Sequence, residues 1–265
     1  GLIVLLFGHE NVPEAIGAMV YVKNALAAAA MAYYLKKSNH KNDFTISAFG
    51  ILYAFCGFFI AYYWNIMWID AMYLLPLVVL GIERIINKQK ATFYIITLAI
   101  TFFSNYYMAY MICIFAVLYF LVYFFSNYSI KEVLPTKPIY VDEDGEIYNR
   151  KVDNVLYSRF VESGLLFALG SFVAVGLAAV ALLPTYFCLK ACSATSGTFP
   201  SDYQFYNNIF DFLANHLTSL EPTIRSSGED VLPNVYCGII TVMLVPLYIF
   251  CDKIKAKERA AHIVL

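Results

Sequence analysis

Long apolar runs separated by short polar, mostly basic stretches set the pattern of this chain. A membrane-spanning helix needs about 20 mostly apolar residues. The runs over 15–35, 44–63, 66–86, 164–183 and 234–251 come near or reach that length. A further run, 91–125, is too long for one crossing. At about 1.5 Å per residue it would measure about 52 Å, against a hydrocarbon core of about 30 Å. The polar interruption Ser104-Asn105-Tyr106-Tyr107 divides it into 91–103 and 106–125. The first half is short, and the bilayer accommodates a short span by thinning. The pattern therefore predicts an all-α, polytopic transmembrane bundle of about seven spans, forming a single domain over 1–265.

Charge orients the bundle. With seven spans, fifteen of the eighteen Lys and Arg residues fall on one side. Without the break at 104–107 they divide eight against nine. Cytoplasmic loops carry the excess of Lys and Arg, so the break is strongly favoured. The N-terminus is then expected outside and the C-terminus in the cytoplasm. Loops 36–43, 87–90 and 126–163 face inward, and loop 184–233 faces outward. Trp64, Trp68, Tyr62 and Tyr63 fall where an outer aromatic belt belongs.

Composition agrees with this class. The chain is 61% hydrophobic and 14% charged, with a mean hydropathy of +0.65; soluble domains carry about 25% charged residues. A net charge of −1 supplies no field that would attract nucleic acid. Residue 1 is Gly, and residues 1–7 lack both the basic region and the length of a signal peptide. The chain reads as a piece of a longer protein, lacking an N-terminal span and a C-terminal part. Within 126–163, two β-prone runs flank a turn at Gly145 and predict a hairpin. Asp142, Glu143 and Asp144 do not alternate as calcium ligands would. The six cysteines have no zinc spacing; Cys188 and Cys192 meet if their segment is helical, but nothing requires a bridge.

Candidate chemistry gathers at the outer face. Lys23 stands about eight residues into the first span, where an ionisable group is a functional hypothesis by default. It snorkels, pairs with Glu14 or Asp70, or holds a lipid phosphate. Asp70 opens the third span, either capping it through the helix dipole or serving as a general base. Glu10 is similarly placed ahead of the first span, while Pro13 and Glu14 form an ordinary helix start. Lys190 and Arg225 are the external cations outside the spans, and Arg suits a phosphate through its bidentate fork. His216 is an interfacial polar residue or an acid–base group. It lies in an amphipathic stretch, 207–220, whose Ile209, Phe210, Leu213, Leu217 and Leu220 recur at helical spacing. That stretch is a lid or one wall of a substrate groove. Gly170, Ala174 and Ala178 permit close helix packing. Pro76 and Pro246 would kink their helices.

Four segments carry a resemblance. WNIMWIDAMYLLPLVVLGIER at 64–84, FSNYYMAYM at 103–111, PNVYCGI at 233–239 and LLFGHENVPE at 5–14 are, in order and spacing, similar to the YfhO family of bacterial membrane proteins. The resemblance covers nearly the whole chain. It implies a GT-C-like fold and the transfer of a sugar from a polyprenyl-phosphate donor to an envelope polymer such as teichoic acid, on the outer leaflet of a bacterial membrane. The implied partners are that lipid donor, the polymer acceptor and membrane lipids. The cofactor is open, a divalent metal being one possibility, and no metal ligands are assigned. Such enzymes place their carboxylate in the first external loop, and the resemblance here begins at the end of that loop. Asp70 and Glu10 therefore stand in for the catalytic carboxylate without matching a motif. Lys23, Arg225, Lys190 and His216 are the groups expected to hold substrate. A transporter or flippase of a lipid-linked envelope precursor is the alternative function. A non-catalytic membrane scaffold is the third.

The orientation has a direct test. A tag beside Asp144 is expected to stay unreactive toward an impermeant reagent applied to intact cells and to react after permeabilisation. Labelling of intact cells would invert the bundle.

Overall fold

The computed structural model describes residues 7, 9–39, 42–128, 139–141, 147–149, 155–192, 210, 214–216, 235–252 and 254–264. After a 3-10 turn at His9–Asn11, its helices are α1 (Val12–Ser38), α2 (Phe44–Ala54), α3 (Gly57–Ala61), α4 (Ile66–Ile86), α5 (Thr92–Ser104) and α6 (Tyr106–Asn127). They continue with α7 (Val155–Leu177), α8 (Ala179–Ala191), α9 (Ile239–Ile249) and α10 (Ala256–Val264). Between α6 and α7, β1 (Ile139–Val141) and β2 (Ile147–Asn149) pair antiparallel, with Tyr140 opposite Tyr148.

Local chemistry sets the helix boundaries. Pro13 and Glu14 occupy the first turn of α1, and Lys36 and Lys37 occupy its last, matching the dipole at both ends. Asp43 caps α2 by accepting from the Thr45 amide at 3.2 Å. Asn105 ends α5 in extended backbone, and its side chain accepts from the Met108 amide at 3.0 Å to start α6. α4 closes in a Schellman turn. Lys88 takes φ +59°, its amide donates to Ile85 O, and the Gln89 amide donates to Arg84 O.

Contacts between helix ends fix the direction of each crossing. Glu83, near the end of α4, meets Tyr34 near the end of α1 and Tyr119 near the end of α6. Asn87 reaches Tyr123. Helices α1, α4 and α6 thus run parallel, which requires the chain to return through α2–α3 and through α5. Arg159, early in α7, bonds Ile86 O and lies over the Tyr128 ring, so α7 starts from the face where α4 and α6 end. Lys257 of α10 bonds Tyr128 O at that same face. The fold therefore gathers Lys36, Lys37, Arg84, Lys88, Lys90, Arg159 and Lys257 at one end of the bundle.

Helix α4 is the axis. Its buried Val78, Val79, Ile82, Ile85 and Ile86 pack with Tyr94 and Leu98 of α5, Ile112, Ala116 and Phe120 of α6, and Ala174 of α7. Gly81 permits the closest approach: a Cβ there would lie 2.8 Å from Tyr94 Cα. Pro76, inside α4, removes the amide that would bond the Met72 carbonyl four residues earlier. The Tyr53 hydroxyl donates to that carbonyl at 2.7 Å. On α5, Thr97 and Thr101 turn their buried hydroxyls back onto their own helix's carbonyls. Outward faces such as Phe172 and Val180 stay exposed and apolar, as lipid contact demands.

The span count differs from the expected seven. Among the described residues, five helical stretches are long and apolar enough to cross: Val12–Ser38, Phe44–Ala61 (α2 with α3), Ile66–Ile86, Tyr106–Asn127 and Ser158–Leu177. The runs at 91–103 and 234–251 fold as the shorter α5 and α9. α5 ends where Asn105 turns to cap its neighbour. α9 starts only after Gly238, at φ +94°, because the preceding strand-like piece lies against α3, where the Tyr236 carbonyl accepts from the Gly57 amide at 2.6 Å. That contact fills the break between α2 and α3, in a span expected to be one continuous helix. The sixth apolar run is also shifted: α7 begins at Val155, not 164. Pro184 lies inside α8 rather than opening a loop.

Replacing Tyr53 with Phe leaves the Met72 carbonyl without a donor in an apolar setting. It should lower stability by about 1–3 kcal/mol, read as a reduced unfolding midpoint of the full-length protein in detergent. An unchanged midpoint would show that the proline gap finds another donor.

Candidate functional site

Two polar sites lie at opposite ends of α4. At its start, Lys23 Nζ sits 2.7 Å from Asp70 Oδ1 and donates to Ile66 O at 2.9 Å. The side chains are 12% and 25% exposed, so the pair is sheltered yet open to a ligand on the carboxylate side. Before and within the first turn of α4, Tyr62 packs against Trp64 and Trp68, with centroids 5.6 Å apart for Tyr62 and Trp68. Lys23 reaches the first residue of α4. Eleven residues of α1, about 16 Å of helix, precede it.

Of the other residues expected at this end, Glu10, Glu14 and Lys190 do not join the pair. Glu10 is exposed in the turn before α1, and Glu14 is exposed in its first turn, about 13 Å along the helix from Lys23. Lys190 ends α8, where a cation suits the helix dipole, and its ammonium lies 4.8 Å from the Tyr186 ring centroid. His216 is half-buried. Arg225, and most of the amphipathic stretch 207–220, lie outside the described residues. Cys188 and Cys192 are exposed and are not joined by a disulfide. Among the described residues, no three His, Cys, Asp or Glu side chains come together as metal ligands would.

The second site was not singled out from the sequence. Glu83 is 3% exposed, and Tyr119 and Tyr34 both donate to its Oε1, at 2.6 and 3.0 Å. The two phenols lie 3.3 Å apart. Beside it, the Arg84 guanidinium donates to the Tyr33 hydroxyl at 3.3 Å and stacks 4.2 Å above the Phe93 ring. Glu83, Arg84, Lys37, Asn87, Gln89 and Tyr123 line a cavity of about 340 Å³. The signal in the sequence was a carboxylate inside an apolar helix, masked by the charged residues that end the same helix.

Breaking the pair at the start of α4 tests its structural weight. Lys23→Met leaves Asp70 unpaired. It should cost about 1–3 kcal/mol, below the range for a fully buried pair because Asp70 is partly solvated. Lys23→Met with Asp70→Leu should recover part of that loss. Unfolding midpoints of the four proteins form a double-mutant cycle, and strict additivity would show that the contact contributes nothing.

No curated protein and no solved structure matches this chain. Over residues 1–265 it matches the model described as bacterial membrane protein YfhO, and the chain belongs to that family.

Proposed function

We propose that this protein is a membrane glycosyltransferase, or part of one, that moves a sugar from a polyprenyl-phosphate donor to an envelope polymer such as teichoic acid. Transfer takes place at the cation-poor face. Membership of a bacterial membrane family and a helical bundle with apolar outer faces support the setting. The observation that carries the reading is the Lys23–Asp70 pair. A carboxylate and an ammonium lie 2.7 Å apart beside an aromatic belt, at the end of the bundle opposite the cation-rich face.

The chemistry needs a group to orient and deprotonate the acceptor hydroxyl, and positive charge where the phosphate departs. Asp70 supplies the first, with Lys23 anchoring its Oδ1. Lys23 supplies the second, with Arg225, Lys190 and His216 as further substrate-binding groups. Glu10, in the turn ahead of α1, is the second candidate base. A GT-C-like arrangement and a divalent cofactor belong to the same reading. In a transporter, breaks in the helices would line the substrate path. The break between α2 and α3 is instead occupied by backbone from Tyr236.

The experiment is transfer by the full-length protein from a polyprenyl-phosphate sugar to its acceptor polymer. Asp70→Asn should reduce turnover by at least about 100-fold while the protein still folds. Lys23→Met should reduce it as well. A folded Asp70→Asn protein with full activity would remove Asp70 as the base, and a further full-activity result for Glu10→Gln would leave the transfer reading without a carboxylate.

A further inference from the structure

A polar cavity lies at the end of α4. Both phenols that meet the nearly fully buried Glu83 bond its Oε1, which leaves Oε2 to the cavity that the residue lines. No cation among the described residues lies within ion-pair distance of it. A carboxylate buried in a bundle without a cation is costly. Around the same cavity stand two cations that pair with no carboxylate among the described residues: Arg84, held by the Tyr33 hydroxyl and the Phe93 ring, and Lys37, 5.9 Å from the Tyr33 ring centroid. The site thus presents one anion deep in the wall and two cations nearer the lipid.

A groove adjoins it. Leu26, Ala30, Leu77, Tyr33 and Phe93 line about 350 Å³ of almost wholly apolar space between α1, α4 and α5. Tyr33 and Phe93 are the rings that hold Arg84, so groove and cavity share that boundary. From Leu26 to Lys37 is about 16 Å along α1, which is one leaflet of a hydrocarbon core of about 30 Å.

We propose that the cavity and groove together bind a single aminophospholipid with a phosphoethanolamine headgroup. Its phosphate sits between Arg84 and Lys37, its ammonium donates to Glu83 Oε2, and an acyl chain follows the groove. Asn87 and Gln89 supply further polar contacts to the headgroup. Arg pairs with phosphate through two parallel donors, and basic pockets between spanning helices suit lipid phosphates. The N–H donors of its ammonium set this headgroup apart from phosphocholine, whose quaternary nitrogen has none, and its positive charge sets it apart from phosphoglycerol. The site shares no residue with the transfer reading and does not depend on it.

The test measures lipid binding to the delipidated full-length protein in detergent, by native mass spectrometry. Phosphatidylethanolamine, phosphatidylcholine and phosphatidylglycerol of identical acyl chains are compared, with soluble phosphoethanolamine as competitor. Phosphatidylethanolamine should bind at least about tenfold more tightly than either other lipid, a difference of about 1.4 kcal/mol. Glu83→Gln keeps an acceptor for the phenols and should abolish the preference. Arg84→Gln and Lys37→Gln should weaken phosphatidylethanolamine and phosphatidylglycerol alike. Lys37 is exposed, so its variant tests the anion half even if Glu83→Gln fails to fold. Equal binding of the three lipids, or a preference that survives Glu83→Gln, would overturn the ammonium contact. Full competition by soluble phosphoethanolamine at the lipid's own concentration would overturn the groove. Binding unchanged by Lys37→Gln and Arg84→Gln together would overturn the phosphate position.

Discussion

A backbone carbonyl in hydrocarbon has no water to turn to, and the bundle is arranged around that constraint. The sharpest case is the Met72 carbonyl, which loses its helical donor to Pro76 and gains the Tyr53 hydroxyl. That single bond ties α2 to α4 and lets the central helix keep a proline at its midpoint. Thr97 and Thr101 meet the same constraint for their own hydroxyls by bonding back to α5. With the proline gap in its backbone closed, α4 can be surrounded by α1, α5, α6 and α7 and still carry charge at both ends.

Both ends of α4 were readable to different degrees. The apolar runs located the helices well, because a span of about 20 residues leaves a plain signature. Basic residues separated α5 from α6 before any contact was known, and Glu83–Tyr119 gives the geometric counterpart: the ends of α4 and α6 meet, so the chain has turned back between them. The misreadings were matters of register. Lys23 bonds the first residue of α4 because α1 and α4 pack side by side, a contact that counting along α1 does not show. The interruption of the second span at Phe55 and Cys56 rests on Tyr236, some 180 residues away in sequence, and a local pattern carries no trace of it. Pro184 marked a loop by composition; it falls early in α8, six residues into a helix that continues to Ala191.

The Asp70 contact with Lys23 was one of several open pairings, and its proximity to a partner 47 residues away follows from the parallel packing of α1 and α4. The Glu83 site was hidden for the opposite reason. Glu83 and Arg84 are adjacent in sequence at a helix end, where an acid and a base read as solvated punctuation. Successive helical residues point about 100° apart. One therefore turns into the bundle toward Tyr34 and Tyr119, while the other turns toward Tyr33, Phe93 and the lipid.

The contrast between the two sites is electrostatic. Lys23 and Asp70 neutralise each other, so that end of α4 is stable unoccupied and can meet substrate transiently. At the other end the charges are kept apart: the carboxylate is held by two neutral phenols and the guanidinium by two aromatic rings. Neither phenol nor ring carries a compensating charge, so the carboxylate and guanidinium both retain their attraction for an outside ion. A pair that has already closed favours turnover, because nothing must be displaced strongly for product to leave. A pair held open favours residence, because only a zwitterion of matching length satisfies both members at once. The two proposals therefore assign different purposes to the ends of one helix, brief contact at the face poor in cations and lasting lipid attachment at the face rich in them.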